Sequence, residues 1–438
     1  MKRSSVEVIM QQSMGLGGEL FPDRAAIECY QMGRLQETIG HAMKNSTFYR
    51  DKMAGIAAMD FTDYHSLSLL PFTSEDDLRR HGQDMLCVSQ DEVARIITMQ
   101  SSGTTGAPKR LFFTEDDLER TIDFFHHGMK SLAKPGEKAV ILLPGSTPDS
   151  TGDLLSRALE RMNVSSRVYG LVNDPQQAAE EVFVEPFDVL VGFPVQILAL
   201  SRTQAAQAGT AGQLKSVLLC SDYIPQTVCD ELSARWQCRV FSHYGTVETG
   251  LGGGVECEGL CGCHLREADL LFEVIRPKTD VVLAAGEWGE IVCSTLSRRG
   301  MPLIRYRTGD YGRLLSGPCV CGSHIARLDK VRGRISQVLQ LDNGHAISMD
   351  MLDETLLSLP GVLDFQAVLQ KEENGRDRLS IQLALIPESK NHVVKHAAVL
   401  LKEIAQLENI RVSLEENSTG RINKGKRIIE DQRGKKQL

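Results

Sequence analysis

The chain has 438 residues, 42% of them apolar and 24% charged, which excludes disordered and fibrous classes. At roughly 150 residues per domain, that length corresponds to roughly two to four domains. Lys and Arg total 49 against 57 Asp and Glu, a net charge of −8, and that balance argues against a protein that lives on nucleic acid or an anionic membrane. The longest apolar run, Val189 to Leu200, is interrupted by Pro194 and Gln196 and is too short to span a bilayer. The Val6 to Met10 patch is too short for a signal-peptide core. The expectation is a cytoplasmic, multi-domain globular protein.

In chain order, Asp23 is placed to cap a helix from about Arg24 to Met43. Ser74-Glu75-Asp76-Asp77 and Thr114-Glu115-Asp116-Asp117 fit the capping-box pattern and open two more helices. Strand candidates at Ile96 to Met99 and Arg110 to Phe113 flank a loop rich in Gly, Ser and Thr. From Lys138 to Val240, apolar runs (Val140–Leu143, Val168–Gly170, Val189–Gly192, Val217–Cys220) alternate with helix-length segments. That rhythm predicts βαβ units and a mostly parallel sheet. After about Leu265, strand candidates such as Leu270–Ile275 and Glu290–Thr295 follow one another without helices, so an antiparallel layer is expected. Beyond Gly333 the pattern predicts a small α+β domain. Its elements are a strand near Val338–Leu341, a helix Asp350–Leu359, strands near Leu363–Gln370 and Ser380–Ile386, and a helix His392–Leu407. The fold class is therefore α/β, with residues 1–333 as a large N-terminal domain and residues 334–438 as a C-terminal one.

Three stretches carry chemistry. Ser101-Ser102-Gly103-Thr104-Thr105-Gly106-Ala107-Pro108-Lys109 offers two glycines for close backbone approach to an anion, four hydroxyls and one positive charge. It lacks the spacing of a Walker loop, and no dinucleotide fingerprint follows a strand elsewhere. Tyr244-Gly245-Thr246-Val247-Glu248 follows the strand candidate Arg239–Ser242, where open α/β sheets bind ligands. Tyr244 can stack on a base, and Glu248 can hold Mg²⁺. In Tyr306-Arg307-Thr308-Gly309-Asp310 the carboxylate can accept hydrogen bonds from ribose hydroxyls. Eleven cysteines are unevenly spread: Cys257, Cys261 and Cys263 sit beside His264, and Cys319 and Cys321 form a second pair. Clustered Cys and His of this kind read first as a metal site.

Taken together, these stretches resemble the adenylate-forming superfamily, the acyl-CoA synthetases and their relatives, and more narrowly its phenylacetate–CoA ligase-like branch. Ser46 to Arg50, Leu70 to Thr73, the Ser/Thr/Gly loop, Met301 to Asp310, Arg327-Leu328 and Gly333-Arg334 carry the resemblance. It implies a two-step reaction. A carboxylic acid, aryl or similar, attacks ATP to give an acyl adenylate, and CoA then displaces AMP. An adenylating enzyme with another thiol or amine acceptor, and a nucleotide-binding protein without turnover, are the competing readings. The implied partners are small molecules (the acid, ATP and CoA), with no nucleic acid and no membrane; a homodimer is left open.

By the same resemblance, Ser101 to Gly106 and Lys109 hold the β- and γ-phosphates, and Thr246 and Glu248 act at the α-phosphate and Mg²⁺. Asp310 and Arg334 hold the ribose, and Ser221-Asp222 occupies the adenine-pocket segment, where relatives carry Gly or Ala followed by Glu. Cys257, His264, Cys319 and Cys321 are the implied ligands of a structural zinc ion, with Cys261 and Cys263 as competitors. Ser336 and Gln337 stand where relatives carry two aspartates, the first of them the hinge of the C-terminal domain. The implied catalytic lysine lies near the chain's end. Counting back from Arg427-Ile428-Ile429 selects Lys424, with Asn423 in place of glycine; matching the Gly-Lys pair selects Lys426. The first register keeps the downstream spacing.

Overall fold

Asp23 accepts a hydrogen bond from the Ala26 amide at 2.8 Å and starts the helix Arg24–Asn45. Ser74 and Thr114 each form the expected capping box, opening the helices Glu75–His81 and Glu115–Met129. These contacts belong to a computed structural model that describes residues 2–18, 20–56, 63–64, 66–99, 108–209, 214–386, 390–417 and 427–434. The chain divides into two units. One comprises Met1–Gly136, Gly145–Ser165 and Phe241–Val331; the other comprises Glu137–Pro144, Ser166–Val240 and Arg332–Leu438. The second unit thus takes in residues 137–144 and 166–240 together with the segment from Arg332.

In the first unit the expected antiparallel layer is a three-stranded sheet of Leu270–Ile275, Gly289–Thr295 and Tyr306–Gly312. Its register slips between Glu290 and Val292, which face Tyr311 and Arg307. Three residues, Thr308 to Asp310, stand there against Ile291 alone, and Gly309 takes φ of +74°, a conformation that costs glycine little. The bulge re-aims Asp310. Short strands not anticipated from the sequence, Gly254–Glu256, Cys263–Leu265 and Arg327–Leu328, pair antiparallel and carry the cysteine loops.

In the second unit, Lys138–Leu142, Val189–Gly192 and Ser216–Leu219 pair in parallel. Every residue of the last two is buried, as a sheet covered on both faces requires. The long apolar run resolves into the strand Val189–Gly192 followed by the helix Pro194–Ser201, all eight of whose residues are buried. The strand expected at Val168–Gly170 lies earlier, at Ser165–Val168. The C-terminal segment has the expected helix–strand–strand–helix order: Met349–Leu356, Val362–Lys371, Asp377–Leu385 and Lys390–Glu403. Parallel edge strands Arg411–Glu416 and Ile429–Asp431 complete its sheet.

One hydrophobic cluster joins this segment to residues 166–240, with Ile197, Leu200, Val217 and Trp236 packed in the same core as Leu356, Phe365 and Leu383. Arg202, its side chain fully buried, donates to the carbonyls of Leu357, at 2.7 Å, and Val362, and to Glu231. The tie is polar where both helix and strand ends need it and apolar elsewhere. Among the described residues, no helix is long and apolar enough to cross a membrane.

Candidate functional site

The strands Arg95–Met99 and Lys109–Phe113 pair with Met99 opposite Lys109, which sets Lys109 at the start of its strand. Its side chain is only 5% exposed and its Nζ lies 2.5 Å from Glu248 Oε1. Tyr306 OH donates to the same oxygen at 3.0 Å, and Glu75 lies 3.8 Å from the Lys109 ammonium. Three stretches singled out separately in the sequence thus meet at one buried carboxylate. Tyr306 was part of a quoted motif, yet its hydroxyl was not assigned to the site. Its position in a strand of alternating burial was the available signal.

Glu248 is positioned by a tight turn after the strand Arg239–Tyr244, whose residues 241–244 belong to this unit. Tyr244 pairs with Gly254, and its hydroxyl donates to Asp310 at 3.0 Å. Burial, together with the Asp310 carboxylate, pushes the Tyr244 phenol well above its ordinary range, so it stays a neutral donor. Thr246 and Thr249 close the turn by exchanging backbone-to-hydroxyl bonds of 2.9 and 3.3 Å. A Cβ at Gly245 would stand 2.5 Å from the Leu251 carbonyl and 2.7 Å from the His243 ring. Only glycine lets the chain pass there.

Behind this turn, residues from three of the stretches that carry the resemblance, Ser46 to Arg50, Leu70 to Thr73 and Met301 to Asp310, form a brace. Arg305, fully buried, makes two bonds to Glu273, of 3.0 and 2.8 Å, and one to the Leu70 carbonyl. Thr73 exchanges backbone bonds with Arg305 and Arg307. Tyr49 OH donates to the Pro302 carbonyl and accepts from the Ile304 amide. These residues hold the start of the strand Tyr306–Gly312, and through it Tyr306 and Asp310.

Ser221, Asp222 and Arg334 belong to the second unit. Ser221 is exposed, with φ of +73°. Burial pushes the Asp222 carboxyl up to about 7, with Arg427 pulling it down. Arg427 itself is held by Asp353 and Asp364. Arg334 precedes the turn Ile335–Gln337, which holds Ser336. Ser101 to Gly106, Lys424 and Lys426 lie outside the described residues.

The sulfurs of Cys257, Cys319 and Cys321 and a ring nitrogen of His264, all on buried side chains, lie within 4.8 Å of one another. Cys257 Sγ is 3.7 Å from Cys319 Sγ, and Cys321 Sγ is 3.6 Å from His264 Nε2. Of the two competitors, Cys263 turns its thiol to the Ser242 carbonyl. Cys261 lies 3.5 Å from Cys319 Sγ, and its carbonyl and sulfur both accept from Arg327.

This architecture is that of the adenylate-forming acyl-CoA synthetases. Over 92% of its length the chain superposes on 89% of a 2-hydroxyisobutyryl-CoA ligase with a TM-score of 0.77 at 19% identity, a likeness of fold. In sequence the chain is similar to the phenylacetate–CoA ligases. It is 27% identical to that of Thermus thermophilus over 370 residues and 26% identical to that of Escherichia coli over 367, each match covering 82% of both chains. No family model matches.

Because the turn at Gly245 has no room for a methyl group, Gly245→Ala is expected to lower stability by about 1–3 kcal/mol. Urea unfolding of the variant beside the parent measures this; equal midpoints would show that the turn yields freely.

Proposed function

We propose that the chain is an ATP-dependent acid–CoA ligase of the AMP-forming kind, acting on an organic, aryl-type carboxylic acid. The observation that carries the reading is the convergence of Lys109, Tyr306 and the Thr246–Glu248 turn at one buried carboxylate, with Tyr244 and Asp310 hydrogen-bonded beside it. In the first step a carboxylate oxygen attacks the α-phosphorus of ATP and the bond to pyrophosphate breaks. In the second, the CoA thiol attacks the acyl carbonyl, loses its proton, and AMP leaves. Transfer at phosphorus asks the protein for positioning and charge stabilisation rather than covalent help.

In this reading Lys109 exchanges Glu248 for the β- and γ-phosphates, which Ser101 to Gly106 also bind. Tyr244 stacks on the base, Asp310 accepts from the ribose, and Thr246 orients the α-phosphate. By resemblance, Arg334 is assigned to the ribose, Ser221 and Asp222 to the adenine, and Lys424, or Lys426 in the other register, to the α-phosphate and the acid. Residues 334–438 are assigned as the lid. Glu248 offers a hard carboxylate oxygen of the sort Mg²⁺ takes; the ion would neutralise phosphate charge.

The cysteine cluster fits a structural zinc ion. A tetrahedral site with Zn–S of about 2.3 Å and Zn–N of about 2.0 Å has edges of about 3.8 Å between sulfurs and about 3.6 Å between sulfur and nitrogen. The distances of 3.7 and 3.6 Å match these edges. Burial pushes the Cys257 and Cys319 thiols up, so metal binding would release protons.

Two features favour a second reading, in which a different thiol or amine takes the acyl group. Ser336 stands at the hinge position, and the C-terminal segment shares a core with residues 166–240.

Carboxylate-dependent ATP–pyrophosphate exchange across a panel of acids, followed by AMP release with and without CoA, tests the reaction. Lys109→Ala and Glu248→Gln are each expected to lower exchange by about 10²–10³, Gln being chosen to keep the hydrogen bonds of the fold. Exchange at the parent rate in both variants would show that the site lies elsewhere.

Protein purified without chelator is expected to carry about one zinc per chain, and Cys319→Ser to lose metal and thermal stability together. Elemental analysis finding no metal in the parent would contradict the zinc assignment.

A further inference from the structure

Successive residues of a strand point to opposite faces, and the strand that ends at Tyr244 uses both. Tyr244 packs on Phe272 and reaches Asp310. His243 turns the other way, its ring centroid 6.2 Å from each of Phe124 and Phe125, two buried residues of the helix Glu115–Met129. The His243 ring is half-buried, and its Nε2, shut off from water, has no hydrogen-bond partner among the described residues. Burial pushes this imidazole down to about 4, so at neutral pH it is uncharged, one nitrogen a donor and the other an acceptor. A buried polar atom left unpaired is costly, and such cases call for a partner.

Chain geometry says what that partner is. If Thr246 and Glu248 attend the α-phosphate, the acid's carboxylate has to reach the same point, and the body of the acid must lie beside the turn. Among the described residues, His243, Phe124 and Phe125 stand beside that turn on the side away from Asp310, while Thr121, Arg266 and Arg298 lie nearest its Gly250; the His243 ring lies 2.7 Å from where a Cβ on Gly245 would stand. Two aromatic rings suit an aryl body, and one neutral imidazole suits a single polar substituent on it.

We propose that His243 is the specificity-determining residue for the acid, and that the preferred substrates are aryl-type carboxylic acids bearing a hydroxyl or amino group that hydrogen-bonds to His243. This rests on the acid–CoA ligase reading and deepens it. The tyrosine face of the strand end takes the nucleotide, and the histidine face takes the acid.

The test is kcat/KM in ATP–pyrophosphate exchange for matched pairs: phenylacetate against its ring-hydroxylated forms, and benzoate against hydroxy- and aminobenzoates. The parent is expected to favour the polar member of a pair by about tenfold or more, since a site built to hydrogen-bond a substituent rejects the analogue that lacks it. In His243→Leu that ratio is expected to fall towards one or invert, while His243→Gln, which keeps a donor and an acceptor, retains part of it. Thermal melting of both variants checks folding, and if the Leu variant is unfolded, a His243→Phe variant replaces it. A parent that favours the bare acids, or a ratio unchanged in the apolar variant, would overturn the assignment of His243. Absence of exchange with every acid would overturn the ligase reading itself, so the two failures are distinguishable.

Discussion

The Glu248 carboxylate is the contact on which the rest of the first unit's site depends. It accepts from Lys109 and Tyr306, which arrive from a hairpin strand and from the antiparallel sheet. Removing one partner of a buried ion pair leaves a charge without compensation, at a cost of about 3–5 kcal/mol. The three segments therefore meet at a contact that cannot lose one partner without that penalty. The same cost explains the brace behind it. Arg305 and Glu273 are a second buried pair, and the bonds of Arg305 to Leu70 and Thr73 fix the strand from which Tyr306 and Asp310 project.

At the strand end at Tyr244, parity alone separates two environments. One side chain faces Asp310, its neighbour faces two phenylalanines, and the glycine that follows lets the chain fold back towards Leu251 without a clash. In the second unit the organising interaction is different in kind: an apolar core shared between the C-terminal segment and residues 166–240, with Arg202 satisfying the backbone carbonyls where they meet.

Much of this was legible in the sequence. Capping boxes at Ser74 and Thr114 are local signals that need no tertiary context, and both form. Continuous apolar runs marked the parallel strands for the same reason, since a doubly covered strand needs no alternation. The strands Cys263–Leu265 and Arg327–Leu328 were not legible because they are short and their ladder is paired across some sixty residues of chain, guided by the cysteine loops rather than by periodicity. Boundaries drifted where the last turn of an element is decided by packing: the helix expected at Asp350–Leu359 runs Met349–Leu356. The four Cys and His ligand candidates come together as expected, and the structure separates them from Cys263, whose thiol points to the other face of its strand. Residue motifs told which stretches mattered. Parity and register decide which face each side chain takes, as with Tyr306 and His243.

The most direct measurement of the central claim follows an isotope. If the acid attacks the α-phosphorus of ATP, a carboxylate labelled with ¹⁸O in both oxygens forms an adenylate through one of them, and thiol attack leaves that oxygen on AMP. Mass spectrometry of the nucleotide after one turnover with CoA should find AMP heavier by a single ¹⁸O and pyrophosphate unlabelled. Unlabelled AMP, or label recovered in inorganic phosphate, would contradict an acyl-adenylate mechanism.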